Sequence, residues 1–152
     1  MDVIIHLLFS YLSTVAFGII TNVPRKALNA CGLTGAAGWG IFMLTRHLET
    51  GEVFANFFSA VCIGLLSIFF SRKKKMPTII FNIPSLVPLV PGGPAYQAMR
   101  SFVLDNYISG LHLTMTVIMT AGAIAAGFMI TNLVERILKR LSTRKQQTNN
   151  QL

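Results

Sequence analysis

The sequence predicts an all-α membrane protein, a polytopic helical bundle of about five transmembrane helices with the fourth broken by proline and glycine. Three observations point there. Of the 152 residues, 53% are hydrophobic and only 12% charged, against about 25% charged in soluble domains; mean hydropathy is +0.60. No Asp, Glu, Lys or Arg interrupts positions 3–24, 27–45, 53–71, 76–99 or 106–134, and a bilayer core about 30 Å thick takes roughly 20 apolar residues per helix. Five of the six prolines fall in the fourth of these runs. The same arithmetic excludes a soluble enzyme domain, a disordered chain and a nucleic-acid binder, despite a net charge of +8.

The basic residues fix the expected topology. Arg25 and Lys26 follow the first run, Arg72, Lys73, Lys74 and Lys75 the third, and Arg136, Lys139, Arg140, Arg144 and Lys145 the last. With the N-terminus outside and one crossing per run, eleven of the thirteen basic residues are cytoplasmic. Asp2, Glu49, Glu52 and Asp105 then lie on the far side. That is the positive-inside asymmetry, and a four-span version would violate it. The Arg72–Lys75 cluster is read as topogenic and as a contact for anionic lipids. Asp2 leads the chain with no basic n-region, so no cleaved signal peptide is expected. Residues 1–141 form the five-span transmembrane domain, and 142–152 a disordered basic and polar cytoplasmic tail.

Each run has its own character. The first is β-branched and aromatic and closes on Thr21, Asn22, Val23 and Pro24. Pro24 is suited to a first helical turn, and Asn22 is either a gate or a helix cap. In the second run Gly32, Ala36 and Gly40 step by four, with Cys31, Gly35 and Gly38 alongside. The fifth repeats the spacing with Gly122/Ala126 and Ala123/Gly127. Such faces let membrane helices approach closely, against each other or a neighbouring subunit. Trp39 reads as an interface aromatic. Cys31 and Cys62 lack metal or disulfide spacing and read as packing residues; no metal site and no cofactor is indicated.

The fourth run carries Pro77, Pro84, Pro88, Pro91 and Pro94, with Gly92 and Gly93 before the last. An interior proline removes a donor at about 3 kcal/mol. One continuous helix is therefore excluded, and a half-helix to about 83, an unwound segment over 84–93 and a second half-helix from Pro94 are expected. Irregular backbone at membrane depth survives only where protein or water covers it, and discontinuous helices mark the substrate sites of secondary transporters. Free carbonyls over 84–90 suit cations or donors, and the new helix N-terminus suits a carboxylate. The residues expected to line a substrate site are Pro84, Ser85, Pro88, Pro91, Gly92, Gly93, Tyr96 and Arg100. Arg100 is suited to a bidentate carboxylate contact, or else is a rim arginine beside lipid or Asp105; Tyr96 is a substrate donor or a packing tyrosine. His6 and His112 sit near the outer boundary, as interfacial residues or proton relays. A ligand-free kinked element is the alternative for the whole segment.

The stretches Asn22-Val-Pro-Arg-Lys-Ala-Leu28, Cys31-Gly-Leu-Thr-Gly-Ala-Ala-Gly-Trp39 and Ile83-Pro-Ser-Leu-Val-Pro-Leu-Val-Pro-Gly-Gly-Pro-Ala-Tyr96 resemble the threonine/serine exporter family, in its short, single-domain form, to about Arg140. The resemblance implies a membrane subunit of a secondary exporter for threonine, serine or a small carboxylate such as succinate. It also implies a larger membrane partner that supplies the other half. Ser85 stands where the family more often has glycine, and a hydrophilic domain is missing. A non-transporting assembly subunit packing through its small-residue faces is the second reading. An enzyme is the weakest, because no HExxH, GxSxG or clustered acid–base pair is present.

Overall fold

The computed structural model describes residues 2–48 and 51–149; of Asp2, Lys139 and 141–149 it describes the backbone alone. The described residues form helices only: α1 (Asp2–Ile20), α2 (Arg25–His47), α3 (Glu52–Lys74), α4 (Ile79–Leu86), a 3-10 turn (Val87–Leu89), α5 (Gly92–Val103) and α6 (Tyr107–Asn149). Four of them are long and apolar enough to cross a membrane: α1, α2, α3 and α6, the last over Tyr107–Leu138. Of the expected disordered tail, 150–152 lie outside the described residues, and 142–149 are described only as backbone continuing α6.

Three helices stop in the same way. Asn22, Lys75 and Asp105 have φ of 58°, 54° and 59°, the left-handed region. The next N–H reaches back into the last turn: Val23 to the Gly18 carbonyl at 2.8 Å, Met76 to Ser71 at 3.1 Å, Asn106 to Ser101 at 2.9 Å. This Schellman closure satisfies carbonyls that a helix end leaves orphaned. Asn and Asp tolerate the conformation through their short polar side chains; a lysine has no such help. Asn22 is thus the C-terminal cap of α1, and Pro24 precedes α2 with φ −53° and ψ 132°.

The helices form a row, α1 beside α2, α2 beside α3, α3 beside α6 and α6 beside α5, with α4 and the 3-10 turn wedged among α1, α2 and α3. α2 is the hub because its small residues admit neighbours. A Cβ at Gly32 would strike Tyr11 and Val15 of α1, one at Gly35 would strike Thr14, and one at Gly38 would lie 2.5 Å from Ile63 of α3. The close approach exposes α2 carbonyls to hydroxyls on three helices: Ser10 donates to Gly35 at 3.2 Å, Ser59 to Gly38, and Ser85 to Cys31 at 3.0 Å. Gly40 is looser, 3.4 Å from Leu7, and Ala36 is half-buried. On α6 the small-residue pair that packs is not the first one expected. Gly122 and Ala126 are exposed, and a Cβ at Gly122 would meet open space. Gly127 instead meets Ala60 at 2.8 Å, and Gly64 of α3 lies under Thr131. Spacing alone gives small-residue faces but not which of two adjacent ones turns inward.

The pairs Gly127 with Ala60 and Thr131 with Gly64 advance together, so α3 and α6 run parallel. A chain leaving the end of α3 must therefore return along the bundle before α6 begins. α4, the turn and α5 make that return, as two short helices.

Candidate functional site

The return pass begins where α3 ends. Thr78, buried just ahead of α4, donates to Glu135 of α6 at 2.8 Å and lies 3.3 Å from the Ser71 hydroxyl. Lys74 closes the same end by donating from Nζ to the Lys26 carbonyl. Glu135 is the only acidic residue among the basic ones at this end, and that isolation was a signal in the sequence that the run-by-run reading passed over.

The unwound segment is much shorter than 84–93. α4 continues through Pro84 to Leu86, and the 3-10 turn carries Pro88. Only Val90 (φ −60°, ψ 127°) and Pro91 (φ −76°, ψ 51°) leave the helical region. Proline's fixed φ is itself helical, so a proline inside a helix is met by a bend around its ring and the loss of the bond to the carbonyl four residues back. For Pro84 that carbonyl belongs to Ile80, and it accepts instead from the Cys31 thiol of α2 at 3.5 Å. Pro88 stands in the first turn of a new helical segment, where its missing N–H is no loss. Cys31, Ser85 and Pro84 thus knit α4 to α2, and all three are buried. Phe81 beside them is fully buried against Ala27, Ala30 and Cys31.

The break lies level with the middle of α3. Leu89, just before it, packs with Ala60, Ile63 and Ile124, and Ile63 is the central residue of α3. Pro91 makes an inverse γ-turn in which the Gly92 N–H reaches the Val90 carbonyl at 2.7 Å. The Ala95 N–H is taken by the Pro91 carbonyl at 3.1 Å, and Pro94 has no N–H. At the head of α5 this leaves the Gly93 N–H as the one amide without a backbone partner, fewer than a fresh helix N-terminus offers.

The expected substrate residues therefore divide. Pro84 and Ser85 are interior packing groups, and Pro88 and Pro91 are half-buried. Gly92, Gly93, Tyr96 and Arg100 are exposed, and a Cβ at either glycine would meet open space. Positions 92, 96 and 100 share one helical face. The opposite face of α5, centred on buried Ala98, packs on α6. The Gly92–Tyr96–Arg100 face points away from the rest of the chain. Asp105 does not take Arg100; its carboxylate accepts from the Tyr107 hydroxyl at 3.1 Å. Among the described residues no group of His, Cys, Asp and Glu could hold a metal ion.

A family model described as Threonine/Serine exporter, ThrE, matches residues 6–134. An uncharacterized protein of Haemophilus influenzae is 35% identical over 97 residues, covering 64% of this chain and 33% of that protein. The chain thus spans about a third of that relative's length. No solved structure matches.

Proposed function

Because this multi-pass membrane protein belongs to the threonine/serine exporter family, a family of membrane exporters, we propose that it is a membrane subunit of a secondary exporter for threonine, serine or a related small carboxylate such as succinate, and that it works with a larger membrane subunit. The observation that carries this reading is the orientation of the broken pass. Its break sits at the level of Ile63, and beyond it Gly92, Gly93, Tyr96 and Arg100 face away from their own bundle. A face with a guanidinium, a phenol and a free backbone N–H suits a carboxylate. At membrane depth such a face needs a second surface across it, or water between. The row of helices also leaves apolar surface open, with Ile4 and Leu8 of α1 and Ile108 and Met115 of α6 more than half exposed.

In this reading the five passes are membrane spans with the N-terminus outside and the C-terminus in the cytoplasm of a bacterial plasma membrane. Residues 1–141 form the transporter domain, 142–152 a cytoplasmic tail, and Arg72, Lys73, Lys74 and Lys75 meet anionic lipid. Asn22 caps α1 and lies at the inner turn. A second reading, an assembly subunit, draws on Gly122 and Ala126, whose small-residue face is left open on α6.

The test is efflux of labelled threonine, serine and succinate from cells producing this chain with its candidate partner, wild type against Gly93→Leu at matched membrane levels. Since a side chain at position 93 enters open space, the fold tolerates it. Efflux that needs both chains and is abolished by Gly93→Leu supports the reading. Efflux from the partner alone, or efflux unchanged by the substitution, removes the break from the transport path.

A further inference from the structure

A second site lies outside the broken pass, at the end of the bundle where α1 begins and α2 ends. His6 of α1 and Trp39, Phe42, Met43, Arg46 and His47 of α2 line a cavity of about 400 Å³. The lining is unusual for an interhelical groove in an apolar chain. Three of its six residues carry cationic or potentially cationic heads, and two of the chain's three histidines are among them. Helical geometry explains the convergence: Trp39, Phe42, Met43, Arg46 and His47 fall at steps of three and four along α2.

One wall of the groove is a fixed indole. The indole Nε1–H of Trp39 is buried without an acceptor among the described residues. Trp39 is held by stacking on Phe42, with ring centroids 5.0 Å apart and planes at 25°, so the indole is fixed rather than free to seek water. The acid at hand is Glu52, whose contact with Arg46 is a loose, exposed 3.7 Å pair. Such a pair contributes little and exchanges readily.

From this geometry we infer that the His6–Trp39–Arg46–His47 cavity binds an oxyanion, a carboxylate or phosphate group whose apolar portion rests on Phe42 and Met43. Arg46 supplies a planar fork for two oxygens and the imidazoles of His6 and His47 supply N–H donors, while the Trp39 indole forms part of the wall beside them. The volume accommodates a small organic acid, and equally the phosphodiester of an anionic lipid reaching in from the surrounding leaflet. The inference stands apart from the transport reading, since none of its residues belongs to the broken pass.

The chain reports on this site by itself, because Trp39 is its only tryptophan. The experiment titrates purified protein in neutral maltoside micelles with L-serine, succinate and inorganic phosphate, and separately with micelles doped with phosphatidylglycerol, following Trp39 emission. A saturable change with a free anion identifies a solute site, and one with phosphatidylglycerol alone a lipid headgroup site; either supports the inference. Arg46→Gln weakens that binding about tenfold or more, as expected for a lost charge-assisted contact. His6→Gln, at an exposed position of the other helix, weakens it with circular dichroism unchanged. No saturable change with any of the four, or equal affinity in both variants, overturns the inference.

Discussion

The bond between the Cys31 thiol and the Ile80 carbonyl exists because Pro84 has no N–H to offer, and that dependence can be measured. Cys31 is fully buried. Truncation to alanine loses roughly one methylene-sized apolar contact, about 1 kcal/mol. It also strips Ile80 of its donor at 3.5 Å, and an unsatisfied buried carbonyl costs about 1 kcal/mol or more. In Pro84→Ala the new amide at position 84 takes over the Ile80 carbonyl, so Cys31→Ala in that background costs only the packing part. The expected coupling between the two substitutions is about 0.6–1 kcal/mol, within the range of hydrogen bonds measured between membrane helices. The assay is equilibrium unfolding in mixed detergent micelles for wild type, both single variants and the double variant. Whatever sign Pro84→Ala shows alone drops out of the cycle. Costs that add to within about 0.3 kcal/mol would refute the exchange of donors and leave Cys31 as a packing residue only. Cys31→Ser, which keeps a donor, is expected to lie closer to wild type than Cys31→Ala.

Two further outcomes test the packing and the helix ends. Gly64→Val drives a side chain into Thr131 and is expected to cost about 1–3 kcal/mol or more by overpacking, whereas Gly122→Val meets open space and stays within about 0.5 kcal/mol; thermal unfolding of the two in detergent checks the contrast. Lys75→Gly removes a left-handed lysine (φ 54°) and is expected to stabilise by about 0.5–1 kcal/mol after the entropy of glycine is set against the relieved strain, read as a higher unfolding midpoint.

Much of the architecture is written in composition and run length, because a bilayer demands long uncharged helices and nothing else in the chain competes with that demand. Four helices long and apolar enough to cross a membrane were legible for the same reason, as was an interruption of the fourth run. The extent of the break was not. Counting prolines overstates disruption, because part of a proline's cost is recovered when the orphaned carbonyl finds another donor, and the donor at Ile80 comes from a cysteine 49 positions away. Candidate residues failed along the same line. Pro84 and Ser85 share a stretch of sequence with Gly92 and Tyr96 but not a surface, since the turn at Pro91 sends the two groups to different neighbours. The Thr78–Glu135 contact spans 57 positions and no local pattern announces it.

The hydroxyl contacts onto α2 make tolerance to change lopsided. The carbonyls of Cys31, Gly35 and Gly38 already accept from their own helix, and each has a second lone pair to spare. When Ser10, Ser59 or Ser85 is replaced by alanine or glycine, no acceptor is left stranded, and the loss is confined to one modest bond. When a glycine of α2 grows, its Cβ strikes the helix packed on it, α1 at Gly32 and Gly35 and α3 at Gly38. Drift in this protein is therefore expected to run freely through the serines of α1, α3 and α4 and to stall at the glycines they touch. A glycine in place of Ser85 is then an ordinary variation, while even an alanine at Gly35 forces α1 and α2 apart at Thr14.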